Sequence, residues 1–183
     1  MPFMAARRHI HIVGASASGT TTLARALATH LGARHLDTDD FYWMATEPPY
    51  TTPRPVPERL QLLTAGMADA AGGWVLSGSL MGWGEPMIPR FDLVVFLYVA
   101  PEIRIARLLE RERERYGDRI EPGGQMHQQH LEFVEWARSY DLDDFTGRSL
   151  KRHRAWLAQM PCPVLELDGA QPVAQSLETV LAF

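Results

Sequence analysis

The sequence predicts an α/β fold in which helices cover both faces of a parallel sheet of about five strands. Three observations predict it. Short β-branched stretches alternate along the chain with longer stretches of helical periodicity. Residues 91–99 form a nearly unbroken apolar run, the pattern of a strand covered on both faces. The first apolar strand also passes into the first helix through a glycine-bounded turn at 14–19. The chain of 183 residues, 46% hydrophobic and 22% charged, has the size and composition of one globular domain spanning 1–183.

Each element has its own reason. His9-Ile10-His11-Ile12-Val13 has the β-branched content and length of a buried strand. The helix after the turn places Leu23, Leu27 and Leu31 on one stripe. A short second strand at 33–36 runs into Asp37-Thr38-Asp39-Asp40, and residues 47–57 form a proline-dense loop. A helix over 58–71 stops at Gly72-Gly73. Residues 74–77 are a third strand, ending in a glycine-rich stretch at 78–84, and 91–99 are the fourth. After Pro101 a charged helix runs to Tyr116, followed by a loop at 117–124 and a helix through Trp136. A helix over 148–159, a strand over 162–167 and a helix over 173–181 complete the chain.

The turn after the first strand is Gly14-Ala15-Ser16-Ala17-Ser18-Gly19-Thr20-Thr21-Thr22. Its spacing is that of a phosphate-cradling G-x-x-x-x-G-K-[ST] loop, with Thr20 where the lysine stands. Such a loop turns its backbone N–H groups inward, and glycine permits the dihedrals and the close approach. The following helix points free N–H groups and its positive dipole end at the same anion. Thr21 holds the position whose hydroxyl meets Mg²⁺. None of these contributions needs the lysine; what is lost is one mobile positive charge. The bland alternative is a turn whose Ser18 or Thr20 caps a helix.

Composition narrows the partners. A net charge of −4 gives no electrostatic reason to expect nucleic acid or a membrane surface. No apolar run has the length to span a bilayer. Cys162 is the single cysteine, which excludes an internal disulfide and suits a reducing, cytoplasmic compartment. Residues 1–8 are too short for a secretory signal. Lys151 is the sole lysine, so arginine carries almost all the positive charge. Nothing in the sequence sets the oligomeric state.

With these residues in order, the chain resembles the P-loop kinases of the adenylate-kinase-like group, which includes nucleoside monophosphate kinases and shikimate-type small-molecule kinases. Four segments carry the resemblance. The loop 14–22, with Gly19-Thr20-Thr21-Thr22, is similar to the lysine-less loop of some archaeal-type cytidylate kinases. Arg107-Leu108-Leu109-Glu110-Arg111 is similar to the R-x-x-x-R segment with which adenylate kinases enter their mobile lid. Leu167-Asp168-Gly169-Ala170-Gln171-Pro172-Val173 resembles the late D-G-x-x-P-V stretch whose backbone lies against adenine. Asp37-Thr38-Asp39-Asp40-Phe41-Tyr42 resembles the D-D-F-Y segment of uridine and nicotinamide riboside kinases, and the D-x-D of shikimate kinases. The resemblance implies a three-layer P-loop NTPase fold with a helical lid insertion near 112–126 and an acceptor-binding segment near 40–70. It implies ATP and Mg²⁺ as cofactors and a small-molecule phosphate acceptor. Two departures stand out: Ser77 where adenylate kinases end the third strand in aspartate, and Ala17 where the loop often has glycine, a small steric change.

The expected site follows. Gly14, Ala15, Ser16, Ala17, Ser18, Gly19, Thr20, Thr21 and Thr22 wrap the ATP phosphates, and Gly169 and Gln171 lie at the base. Thr21 and Asp39 are the metal-ligating pair. Asp39, with Asp37 next, orients the acceptor hydroxyl and takes its proton. Arg104, Arg107, Arg111 and Arg115 form one helical stripe whose like charges repel by roughly 0.2–0.5 kcal/mol per pair, which an anionic ligand offsets. Arg107 and Arg111 read as ligand contacts, Arg113 and Arg115 as a solvated face. Arg119 and Arg148 are divided evenly between the two readings, and Arg54 or Arg59 is a candidate phosphate anchor. His127 and His130 share a metal-compatible spacing but lack a third ligand and read as structural, as does Asp92. Trp74, Trp136 and Trp156 read as core; Trp83, between two glycines, reads as core with base stacking as its alternative. The leading reading is an ATP-dependent phosphotransferase acting on a nucleoside, nucleotide or other small hydroxyl or phosphate acceptor. The rival is a nucleotide-binding protein with little or no transfer activity.

Overall fold

In the computed structural model, which describes residues 8–183, five strands form one sheet: β1 (His9–Gly14), β2 (Arg34–Asp37), β3 (Trp74–Ser77), β4 (Leu93–Tyr98) and β5 (Val164–Asp168). The order across the sheet is β2-β3-β1-β4-β5, and every neighbouring pair is parallel. The residues read as too short for a secretory signal lie, but for Arg8, outside the described residues. The chain passes from β1 to one side of the sheet for β2 and β3, then crosses to the other for β4 and β5. That reversal opens a crevice at the carboxyl ends of the strands beside β1, where an open parallel sheet binds its ligand.

Side-chain alternation assigns the faces. Ile10 and Ile12 of β1, Val75 of β3, and Leu93, Val95 and Leu97 of β4 pack with Leu23, Ala24, Leu27 and Ala28 of α1 (Thr20–Leu31) and Val180 of α7 (Val173–Ala182). Val13, Trp74, Leu76, Val94 and Phe96 point the other way. They meet Leu63 and Met67 of α3 (Val56–Ala68) and Trp156 and Leu157 of α6 (Leu150–Leu157). A smaller cluster, Leu108, Val134 and Ala137, joins α4 (Pro101–Tyr116) to α5 (His127–Arg138), and Ala17 of the glycine-bounded loop packs against it. No helix among the described residues is long and apolar enough to cross a membrane.

Several boundaries differ from expectation for local reasons. α1 begins at Thr20 rather than Leu23. A five-residue helix, α2 (Thr38–Tyr42), follows β2 because the Asp37 carboxylate caps it, accepting from the Asp39 N–H at 3.1 Å. The bland alternative for the acidic segment, a cap at Asp39 or Asp40 ahead of Phe41, places the cap two or three residues too late. α3 begins two residues early, since Pro57 in its first turn needs no N–H partner. It ends at Ala68, where Asp69 and Ala70 bond back to Ala65 and Met67. α6 starts after Ser149, whose hydroxyl accepts from the Arg152 N–H. Residues 85–90, assigned to no element from sequence, form a 3-10 turn. Asp92 has the structural role expected of it: its carboxylate accepts from the N–H groups of Arg8 and His9, at 3.0 and 2.9 Å, and fixes the start of β1.

Two histidines are fully buried. His11 donates from Nδ1 to the Leu76 carbonyl and stacks on Phe91, and burial pulls its pKa down to about 4. His153 lies between the Tyr140 hydroxyl at 2.7 Å and Ser79 Oγ at 3.2 Å, its pKa brought down to about 3, chiefly by burial. Both stay neutral in the folded protein at pH values where the unfolded chain's histidines, with pKa 6.5, are charged. The unfolded state therefore binds more protons from pH 6.5 down to about 4, and stability falls as pH falls through that window. Lowering the pH from 7 to 5 should cost about 2 kcal/mol for each histidine, read from denaturant midpoints. A flat stability profile over that range would show the two to be charged or exposed.

Candidate active site

The loop at the end of β1 is shaped by two left-handed residues, Ala17 with φ 64° and Gly19 with φ 94°. They swing successive peptide N–H groups toward one side, the geometry of an anion nest. Ser18 donates its amide to the Ala15 carbonyl at 3.2 Å and Leu23 to the Gly19 carbonyl at 3.0 Å. The amides of Ser16, Ala17, Gly19, Thr20, Thr21 and Thr22 have no protein acceptor among the described residues. Gly19 is the N-cap of α1 and no side chain caps it, so the alternative in which Ser18 or Thr20 serves as cap does not hold. Two glycines let neighbouring segments close on the loop. A Cβ on Gly14 would strike Ser18 Oγ and come within 2.6 Å of the Leu97 carbonyl; one on Gly169 would come within 2.6 Å of the Ser18 carbonyl. Ala17 differs from glycine less by bulk than by backbone strain: a left-handed conformation costs an L-residue about 1–2 kcal/mol.

The carboxyl end of β2 faces this loop. Thr21 Oγ1 donates to Asp37 Oδ2 at 3.0 Å, so the carboxylate beside the loop hydroxyl belongs to Asp37 rather than Asp39. Ser77, in place of the third-strand aspartate, turns away and shares a hydrogen bond of 2.9 Å with His35 Nε2. Asp39 follows two residues on, in the first turn of α2, open to solvent yet lining the cleft. Burial and then the Asp37 carboxylate push its pKa up, while the Arg148 guanidinium and the Trp43 indole hold it back. Asp40 is pushed up by burial and by Asp37.

The arginines divide into distinct roles. Arg104 is structural: fully buried, it bonds Asp141 at 2.7 Å and the Ala137 carbonyl at 2.9 Å. Arg107 donates from Nη1 to the Gly169 carbonyl at 2.8 Å, which ties α4 to the loop after β5 and sets that guanidinium on the Gly169 side of the site. Arg111 is half-buried within the field of Asp39, with its Nε lacking a partner; burial and Arg115 lower its pKa. Arg113 and Arg115 are exposed, as is Gln171. Arg148, just ahead of α6, reaches Ser16 Oγ at 3.5 Å and lies over the Trp136 ring at 4.7 Å. Its place could not be read from sequence, because 132 residues separate it from Ser16.

A cleft of about 280 Å³ opens between Asp39 and the proline-dense loop, lined by Asp39, Asp40, Trp43, Met44, Thr46, Pro49, Tyr50 and Arg54. Neither candidate phosphate anchor stands free in it. Arg54 donates to the Phe41 and Trp43 carbonyls at 3.1 and 3.2 Å and approaches Glu58. Arg59 donates to the Arg54 carbonyl and stacks 3.8 Å above Tyr42. Trp83 is core, 5% exposed and bonded through Nε1 to the Ser79 carbonyl. Of the segment 112–126, the first residues finish α4 and the rest form a 3-10 turn and a bend. From it Arg119 pairs with Glu47, and Gln129 of α5 donates to the Pro49 carbonyl at 2.9 Å. His127 bonds the Ile120 carbonyl and His130 pairs with Glu112, both structural positions. Among the described residues no three His, Cys, Asp or Glu side chains converge as a metal cluster.

The strain at Ala17 gives a direct measurement. Ala17→Gly removes it and loses some stability through the freer unfolded chain, roughly 0.5–1 kcal/mol. A net gain of up to about 1 kcal/mol is expected in chemical denaturation. A net loss would show that the methyl contact with the α4–α5 cluster outweighs the strain.

Comparison with known proteins agrees with this geometry. Residues 10–130 match the AAA domain family. The uncharacterized protein YqaC of Bacillus subtilis is 40% identical over 177 residues, covering 97% of each chain. A cytidylate kinase of Archaeoglobus fulgidus is 32% identical over 113 residues, 56% of this chain and 61% of that one. The shikimate kinase of Bacteroides thetaiotaomicron superposes with a TM-score of 0.53 at 16% identity, covering 97% of this chain and 98% of that one, a likeness of fold. The chain belongs to the AAA domain family and has the fold of the P-loop kinases of the adenylate-kinase-like group.

Proposed function

We propose that the protein is an ATP-dependent phosphotransferase acting on a small hydroxyl-bearing acceptor. The observation that carries this reading is the set of loop amides without an acceptor among the described residues, those of Ser16, Ala17, Gly19, Thr20, Thr21 and Thr22, beside the Thr21–Asp37 pair. Those amides and the N-terminus of α1 grip the polyphosphate. The segment around Gly169, held by Arg107, bounds the base. Thr21 and Asp37 fit Mg²⁺, an oxygen-seeking ion carried in with phosphates, and would hold it; bound there, it would neutralise charge on the phosphate oxygens.

The acceptor enters the cleft at Asp39 and Trp43. Asp39 accepts the proton of the attacking hydroxyl, and its raised pKa makes it a stronger base than a solvated carboxylate. Arg111, within the field of Asp39, supplies positive charge to the phosphoryl group in transfer. Arg54 and Arg59, already engaged with carbonyls and a ring, favour an acceptor that brings hydroxyls rather than a phosphate of its own. The 3-10 turn, resting on the proline-dense loop through Arg119 and flanked by Gln129 of α5, keeps water from the phosphoryl group. The rival, a nucleotide-binding protein with little transfer activity, is favoured by Thr20 and Ser77 standing where lysine and aspartate are expected.

Calorimetry with Mg-ATP, followed by a transfer screen over nucleosides, polyols and nucleoside monophosphates, separates the two. Micromolar binding with phosphorylation of a hydroxyl compound is expected; binding with no acceptor consumed would favour the rival, and no binding would remove both. Asp39→Asn should lower kcat by about 10²–10⁴-fold with little change in ATP affinity. In the native protein the rate should fall with acid through a pKa above 3.8, since Asp39 must be ionised to accept a proton. An acid limb at or below that value would place the base elsewhere.

A further inference from the structure

Thr20 leaves the phosphate loop without its ammonium, and a second feature of the same site is a half-buried cation without a counter-ion among the described residues. Arg148 is held in place from three sides. The next residue, Ser149, is 1% exposed and caps α6, which fixes the backbone. The Trp136 indole supports the guanidinium plane at 4.7 Å, and Nη2 reaches the loop at Ser16 Oγ, 3.5 Å away. Nε is buried with no acceptor. Among the described residues the guanidinium forms no ion pair, whereas Arg54, Arg104, Arg119 and Arg154 each have a carboxylate within 4.0 Å. Asp39 acts on it only through the field.

Sealing even part of a guanidinium from water without a partner is costly, and a ring face returns only part of that cost. Such a group is stable in company with an anion, and the loop it touches is the one whose amides turn toward an anion. Arg107 is committed to the Gly169 carbonyl, and among the described residues Arg111 forms no hydrogen bond to the loop, whereas Arg148 reaches Ser16.

We infer that Arg148 supplies, from the far end of the chain, the positive charge absent at Thr20, and that it contacts the terminal phosphate of the bound nucleotide as a catalytic residue. The inference rests on the proposed phosphotransferase reading. The terminal phosphate is specified because Arg148 reaches the loop at Ser16 and also shares the field of Asp39, the proposed acceptor-side carboxylate. A guanidinium fork spans two phosphate oxygens, and with Trp136 beneath it the charge is fixed rather than carried on a mobile stem.

The test uses Arg148→Met and the double variant Arg148→Met/Thr20→Lys, with Mg-ATP and Mg-ADP affinities by calorimetry and the thermal midpoint of each nucleotide-free protein. Arg148→Met should weaken Mg-ATP at least tenfold and Mg-ADP less than threefold. Its nucleotide-free midpoint should equal or exceed that of the native protein, because a half-buried charge without a counter-ion has been removed. The added lysine should recover at least half of the lost Mg-ATP affinity on a logarithmic scale. A lower midpoint with equal loss for both nucleotides would make Arg148 a structural support, and failure of the lysine to rescue would refute the exchange of roles. Should Arg148→Met not fold, Arg148→Lys serves: near-native preference for Mg-ATP over Mg-ADP is expected, and loss of that preference counts against the inference. A native protein that binds Mg-ATP while Arg148→Met is indifferent sinks this inference alone; a native protein with no Mg-ATP affinity sinks the functional reading with it.

Discussion

Six peptide N–H groups at the end of β1 have no acceptor among the described residues, and the surrounding structure is arranged to keep them so. Unsatisfied amides are expensive when sheltered from water, and a chain relieves them by folding back on itself unless something prevents it. Here the prevention is geometric. Ala17 and Gly19 hold left-handed dihedrals, α1 begins without a side-chain cap, and Gly14 and Gly169 leave room for the loop to be wedged between β4 and the segment after β5. The parallel sheet supplies the rigid rim from which this loop, Asp37 and the Gly169 turn all project.

The layered architecture was legible because its causes are local. Alternating face patterns in β1, β3 and β4 and the leucine stripe of α1 follow from period-two and helical spacing, and the observed clusters use those residues. The loop was legible for a similar reason, since spacing between two glycines is a property of a few consecutive residues. Element ends were less so. α2 is capped by Asp37 where the sequence reading put Asp39 or Asp40, and α3 starts two residues early at a proline that favours helix starts.

The rest of the site is assembled by contacts between distant segments, which no local pattern encodes. Arg107 belongs to a stripe of arginines that look equivalent along a helix, yet one is locked to Asp141, one to the Gly169 carbonyl and one is left in the field of Asp39. Ser77 looked like a gap in the metal arrangement. The sheet order puts β2 beside β3, so Asp37 arrives one strand over and meets Thr21 from there.

Asp37 joins two things at once. One oxygen receives the Thr21 hydroxyl and the other receives the N–H that starts α2, the helix carrying Asp39. A single side chain thus sets the spacing between the nucleotide half of the cleft and the acceptor half, like a pin through two plates. Any shift at that pin moves donor and recipient relative to each other, even when each half keeps its own shape.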